Sequence, residues 1–74
     1  MFAYGIAPEH SYVLIDDEVT TGVTLVNLAQ ALRRHGANPV AAVCLAEDTR
    51  YQARSVIEEF GLPLVSLARI GSVQ

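Results

Sequence analysis

The sequence predicts an α/β fold, a three-stranded parallel βαβαβ unit of Rossmann-like type that amounts to a partial domain. Three observations lead there. Apolar runs of strand length at residues 12–16, 40–46 and 62–68 alternate with two segments whose apolar residues recur at helical spacing. The middle run, Val40-Ala-Ala-Val-Cys-Leu-Ala46, is apolar on both faces, as strands inside a parallel sheet are. The first two runs pass at once into carboxylates, Asp16-Asp17-Glu18 and Glu47-Asp48, at the strand ends beyond which open parallel sheets bind ligands.

Taken in order, residues 1–10 are expected to be an irregular amino-terminal segment, although Phe2, Tyr4 and Ile6 alternate in a way that suits a short strand. Residues 11–74 form the folded portion. After the strand at 12–16, Leu25, Leu28, Ala29 and Leu32 repeat at i, i+3, i+4 and i+7, which predicts a helix over about 22–35 with Gly36 as its left-handed stop. Arg33, Arg34 and His35 fall in its last turn, where cations complement the macrodipole. Asn38-Pro39 leads into the strand at 40–46. Thr49-x-x-Gln52 reads as a capping box for a second helix striped by Ala53, Val56, Ile57 and Phe60 and ended by Gly61. The third strand, 62–68, carries Pro63 at its entrance, where a missing N–H is tolerated, and the tail from Arg69 is expected to be ordered only in part.

With 74 residues the chain has room for one small domain, and a chain this short buries only about 60–65% of its unfolded surface. The expectation is a fragment or a mini-domain. Half of the residues are hydrophobic, which excludes disorder, and the formal net charge of −3 with five scattered arginines and no lysine excludes a nucleic-acid surface. No apolar run reaches the ~20 residues of a membrane span and the first ten residues have no basic stretch, so a cytoplasmic location is expected. Cys44, the single cysteine, reads as a small buried hydrophobe.

The chemistry concentrates at residues 16–24. A helix start presents unpaired N–H groups to an anion, Gly22 permits close backbone approach, and Thr20, Thr21 and Thr24 add hydroxyl donors. The carboxylates beside it would repel that anion and suit neutral hydroxyls or a bridging divalent cation instead. A phosphorylated sugar offers both features.

These residues, Asp16-Asp17-Glu18-Val19-Thr20-Thr21-Gly22-Val23-Thr24, resemble the phosphoribosyl-pyrophosphate (PRPP) motif of type I phosphoribosyltransferases. The resemblance implies that Asp16 and Asp17 hold the ribose hydroxyls as positive charge develops at the anomeric carbon, and that Thr20 to Thr24 cradle the 5′-phosphate. It further implies a transfer of phosphoribosyl from PRPP to a nitrogenous base, with Mg²⁺ bound mainly through PRPP and no metal site made by the protein alone. Thr20 stands where the orotate-using branch carries a Thr, and the later run through Glu58-Glu59-Phe60-Gly61 and Leu62-Pro-Leu-Val-Ser-Leu is similar to the carboxyl-terminal half of orotate phosphoribosyltransferases. Two positions depart from that pattern. Glu18 replaces a usually apolar residue, and Glu47-Asp48 stands where the orotate branch has Asp-Arg, the nearest arginine being Arg50.

Family members also carry a pyrophosphate loop, a mobile loop and a base-selecting hood, none of which can be found here, so the chain alone is expected to be catalytically poor. Other readings compete. A truncated module that binds PRPP or a nucleotide phosphate as a sensor keeps the ligand without the reaction. A phosphorelay receiver shares the acidic strand end but needs a lysine that the chain lacks, and a P-loop would need a G-x-x-x-x-G-K-[ST] run. Right-handed crossovers put both helices on one face of a sheet whose strands lie in sequence order, leaving the other face bare and the outer edge of strand 12–16 unpaired. A homo-oligomer or a complementary amino-terminal half is therefore expected as partner.

Overall fold

A computed structural model describes residues 1–6 and 10–71. Four strands form one mixed sheet in sequence order: β1 (Phe2–Ile6), β2 (Ser11–Val19), β3 (Asn38–Asp48) and β4 (Leu64–Ile70). The last three are parallel and are joined through α1 (Val23–Arg34) and, after a 3₁₀ turn at Thr49–Tyr51, α2 (Ala53–Phe60). This is the predicted βαβαβ unit with one strand added.

The added strand corrects the expectation for residues 1–10. β1 runs antiparallel to β2, from Phe2 opposite Ile15 to Ile6 opposite Ser11, and so occupies the edge that was expected to be unpaired. Alternating residues at 2, 4 and 6 were the signal for it. Strands also run further than their apolar content suggested. β2 continues through the acidic residues to Val19 by its pairing with β3, past the end of its pairing with β1 at Ile15, and β3 reaches Asp48 by its pairing with β4.

Both helices lie on one face, packed on each other and over β2, β3 and β4. The core between them and the sheet is formed by Leu14, Leu25, Ala29, Ala42, Cys44, Ala53, Ile57, Leu62 and Leu64, all essentially without solvent exposure. Burial raises the pKa of the Cys44 thiol, which fits its reading as an inert core residue. The helix stops behave as expected: Gly36 and Gly61 take φ of 84° and 107°. The capping box does not form. Gln52 instead adopts a left-handed φ of 58° with no side-chain cap, and Asp48 caps the 3₁₀ turn by accepting from the Arg50 N–H at 3.0 Å. With Asp48 as the cap, Thr49 becomes the first residue of the turn rather than a cap itself.

Candidate functional site

The junction of β2 and α1 opens into a cavity of about 140 Å³ lined by Asp16, Glu18, Val19, Thr20, Thr21, Gly22, Thr24 and Leu25. Its shape follows from the strand's length. Because β2 extends to Val19, Asp16 and Glu18 share one side of it by the two-residue period and turn toward the loop, while Asp17 turns to the opposite side. There Asp17 lines a second, larger depression of about 310 Å³, to which Met1, Ile15, Leu45 and Asp16 also contribute. The structure thus brings Asp16, Thr20, Thr21, Gly22 and Thr24 together, adds Glu18 as the second carboxylate of the cavity, and sets Asp17 across the strand from it. Val23, the first residue of α1, is exposed at the rim, its N–H 3.4 Å from the Thr21 hydroxyl.

Gly22 has a structural duty that the sequence did not disclose. Its φ of 82° favours glycine, and a Cβ there would come within 3.1 Å of the Ala53 carbonyl oxygen and 3.3 Å of Ile57. The glycine lets α2 press against the start of α1. This contact fixes where the amides at the head of α1 point, so the loop is positioned by the neighbouring helix as much as by its own turn.

Electrostatically the cavity is acidic on its strand side. Among the described residues no arginine lies within ion-pair distance of Asp16, Asp17 or Glu18, and the single charge partner is the Met1 amine, 3.7 Å from Asp16. The Asp16 side chain and the backbone amides of Glu18 and Asp17 hold the Asp17 carboxyl below the ordinary range, so it is charged at neutral pH. No three His, Cys, Asp or Glu side chains converge as metal ligands among the described residues. Asp16 also lines the second depression with Asp17, and the two carboxylates remain neighbours at the strand end.

The end of β3 is built differently. Glu47 is buried and receives Arg54 through two hydrogen bonds, 2.7 Å to one oxygen and 3.3 Å to the other, with the Ser66 hydroxyl donating at 2.6 Å and Arg69 in an ion pair at 3.4 Å. Burial alone would raise the Glu47 pKa, but the hydrogen bonds from Arg54 and Ser66 and the charges of Arg54 and Arg69 outweigh it and leave the carboxyl below its ordinary value. Asp48 holds Arg50 in a two-point pair at 2.7 and 3.0 Å. Arg50 is therefore engaged within its own turn. The Glu47–Arg54–Ser66 cluster was not foreseen, and its only trace in the sequence is Ser66, a polar residue in an otherwise apolar strand.

A family model described as phosphoribosyl transferase matches residues 3–71. The chain is 31% identical over 68 residues to a xanthine phosphoribosyltransferase of Brevibacillus brevis, covering 92% of this chain and 35% of that protein. It is 34% identical over 71 residues to a hypoxanthine/guanine phosphoribosyltransferase of Methanococcus vannielii, covering 95% of this chain and 37% of that protein. The crystal structure of a phosphoribosyltransferase from Corynebacterium diphtheriae superposes with a TM-score of 0.74 at 25% identity, over 80% of this chain and 34% of the other. By name the two curated relatives use purine bases, so the leaning toward orotate drawn from Thr20 gains no support from them. The chain spans about a third of the length of each of these proteins.

Proposed function

The chain belongs to the phosphoribosyltransferase family, and from that premise we propose that its β2–α1 junction binds the ribose 5-phosphate part of PRPP for transfer to a nucleobase. The observation that carries this reading is the single cavity in which a threonine-rich loop at a helix start meets strand-end carboxylates that no arginine neutralises. The 5-phosphate sits against the amides and hydroxyls of Thr20 to Thr24, as anions sit at helix starts. The ribose hydroxyls donate to Asp16, with Glu18 or Asp17 as the second acceptor according to which side of β2 the sugar crosses. In the reaction the anomeric carbon loses its bond to the pyrophosphate oxygen, gains one to a base nitrogen, and the base gives up a proton. Negative charge held near the ribose favours the positive charge that develops on that carbon.

Mg²⁺, when bound, offsets the charge of the leaving pyrophosphate. The names of the curated relatives favour a 6-oxopurine acceptor such as hypoxanthine, guanine or xanthine over orotate.

Calorimetric titration with ribose 5-phosphate, PRPP and inorganic phosphate tests the reading. Ribose 5-phosphate is expected to bind nearly as well as PRPP and more tightly than phosphate, and Asp16→Asn is expected to remove that difference. Absence of ribose 5-phosphate binding defeats it. Turnover assays with PRPP and either hypoxanthine or orotate, in the presence of the remaining part of a family enzyme, then decide the base.

A further inference from the structure

We infer that Glu18 selects the acceptor, its carboxylate turning away anionic bases and favouring neutral ones that present an N–H. This rests on the reading of the β2–α1 junction as the ribose 5-phosphate site. Beside that junction a further cavity of about 80 Å³ opens at the carboxyl ends of β3 and β4, with Glu18, Ala46, Glu47, Asp48, Arg50 and Gly71 in its lining. Glu18 is the side chain that this cavity shares with the threonine-loop cavity, so it stands in the wall between them. The register sets Glu18 beside Ala46 and Ala46 beside Ala68, and the two small side chains leave the room. Gly71 keeps the far wall bare, since a Cβ there would meet the Thr49 hydroxyl oxygen at 2.8 Å. A base that attacks the anomeric carbon has to lie against the sugar on the loop's side of the sheet. This cavity adjoins the loop through Glu18, whereas the depression at Asp17 opens on the opposite side. With ~30 Å³ as the share of one water, it holds the reacting edge of a ring rather than a whole base.

The charges of this lining cancel except for one. Asp48 and Arg50 close on each other at 2.7 and 3.0 Å, and Glu47 is matched by Arg54 and Arg69. Among the described residues no arginine lies within ion-pair distance of Glu18, which is exposed. The field in the cavity is therefore that of a carboxylate, and Arg50 does not offset it because Asp48 already neutralises Arg50. Orotate brings a carboxylate of its own and xanthine loses a proton near neutral pH, so each sets like charge beside Glu18. Hypoxanthine and guanine stay neutral and offer an N–H, which donates to a carboxylate in a charge-assisted hydrogen bond. Like charges a few ångströms apart in a partly wet site cost about tenfold in affinity or more. Glu18 is also a place where the sequence departs from the motif it resembles, so this charge is a feature of the chain itself.

Titrating the whole chain, saturated with ribose 5-phosphate, with hypoxanthine and with orotate tests this. The wild type is expected to bind hypoxanthine about tenfold more tightly than orotate, and Glu18→Gln is expected to remove most of that preference. Comparing two bases within one protein cancels any share that Glu18 has in holding the sugar. Glu59→Gln, which takes the same charge from an exposed place on α2, is expected to keep the preference of the wild type. Failure of ribose 5-phosphate to bind defeats the reading of the junction, and this inference falls with it. Where ribose 5-phosphate binds, an unbound hypoxanthine, an equal affinity for orotate, or a preference that Glu18→Gln leaves unchanged overturns the inference alone. Should the Glu18 variant unfold, the wild type still decides: the uncharged methyl ester of orotate is expected to bind about tenfold more tightly than orotate, and equal affinities overturn the inference.

Discussion

The two parallel strands that feed the helices both end in carboxylates, yet they treat them in opposite ways. At the end of β3 every acidic side chain is matched: Glu47 by Arg54, Ser66 and Arg69, and Asp48 by Arg50. At the end of β2, no arginine among the described residues lies within ion-pair distance of Asp16, Asp17 or Glu18, and Asp16 and Glu18 line a cavity. The same residue type in the same topological place serves cohesion in one case and faces open space in the other. Carboxylates that the fold does not neutralise are available to a ligand.

Removing a member of the β3 cluster should damage the fold most. Glu47→Ala leaves Arg54 without its buried partner, and a loss of about 3 kcal/mol is expected in denaturant unfolding. The acid limb follows from the same residue. Its folded pKa is depressed from 4.5, so its contribution is complete above that value and is lost as pH falls through the lower, folded pKa. Urea midpoints measured from pH 6 to pH 3 should therefore fall more steeply for the wild type than for Glu47→Gln, and parallel curves would count against the cluster as the acid-sensitive element.

Gly22 joins the two regions, because its backbone lies against Ala53 and Ile57 at the start of α2. Gly22→Ala combines a left-handed φ with a crowded Cβ, and a loss of about 2 kcal/mol is expected together with weaker ribose 5-phosphate binding. Unfolding and titration on the same variant would show whether the two losses travel together. Gly36→Ala, where φ is similarly positive but no atom lies within 4 Å, should cost less and leave binding intact.

The β2 carboxylates should show the reverse pattern. Asp16→Asn with Glu18→Gln is expected to leave the unfolding midpoint in place or raise it slightly, while ribose 5-phosphate affinity falls about tenfold, one charge-assisted hydrogen bond being worth roughly that much. Inorganic phosphate should bind as before or better, since the variant removes repulsion. A destabilised variant with unchanged affinity would erase the distinction between the two strand ends. The smallest effect is expected at Asp48→Asn, which releases Arg50 at the surface and should alter the midpoint only marginally, since exposed pairs contribute little.

Much of this was legible in the residues themselves. The order of strands and helices, the burial of Leu25, Ala29, Ala53 and Ile57, and the stops at Gly36 and Gly61 all follow from local rules: apolar period, backbone permissiveness and chain direction. So does the location of the anion loop after the first parallel strand. The boundaries were less legible, because a strand's polar end is retained by ladder partners that periodicity does not register, and this hid the continuation of β2 through Asp16, Asp17 and Glu18.

By itself, then, the sequence determined which segments are strands and helices, that three strands run parallel with both helices on one face, and where the threonine-rich loop with its carboxylates stands in the fold. Only the tertiary structure decided that Asp16 lines the loop cavity while Asp17 does not, that Gly22 is held by α2, and that Glu47 belongs to Arg54 while Glu18 belongs to the cavity. The reason is one of range. Backbone preferences and apolar spacing act over a few neighbouring residues and are written in them, whereas the partner of a charge seven or nineteen residues away is chosen by where the strands are brought to lie.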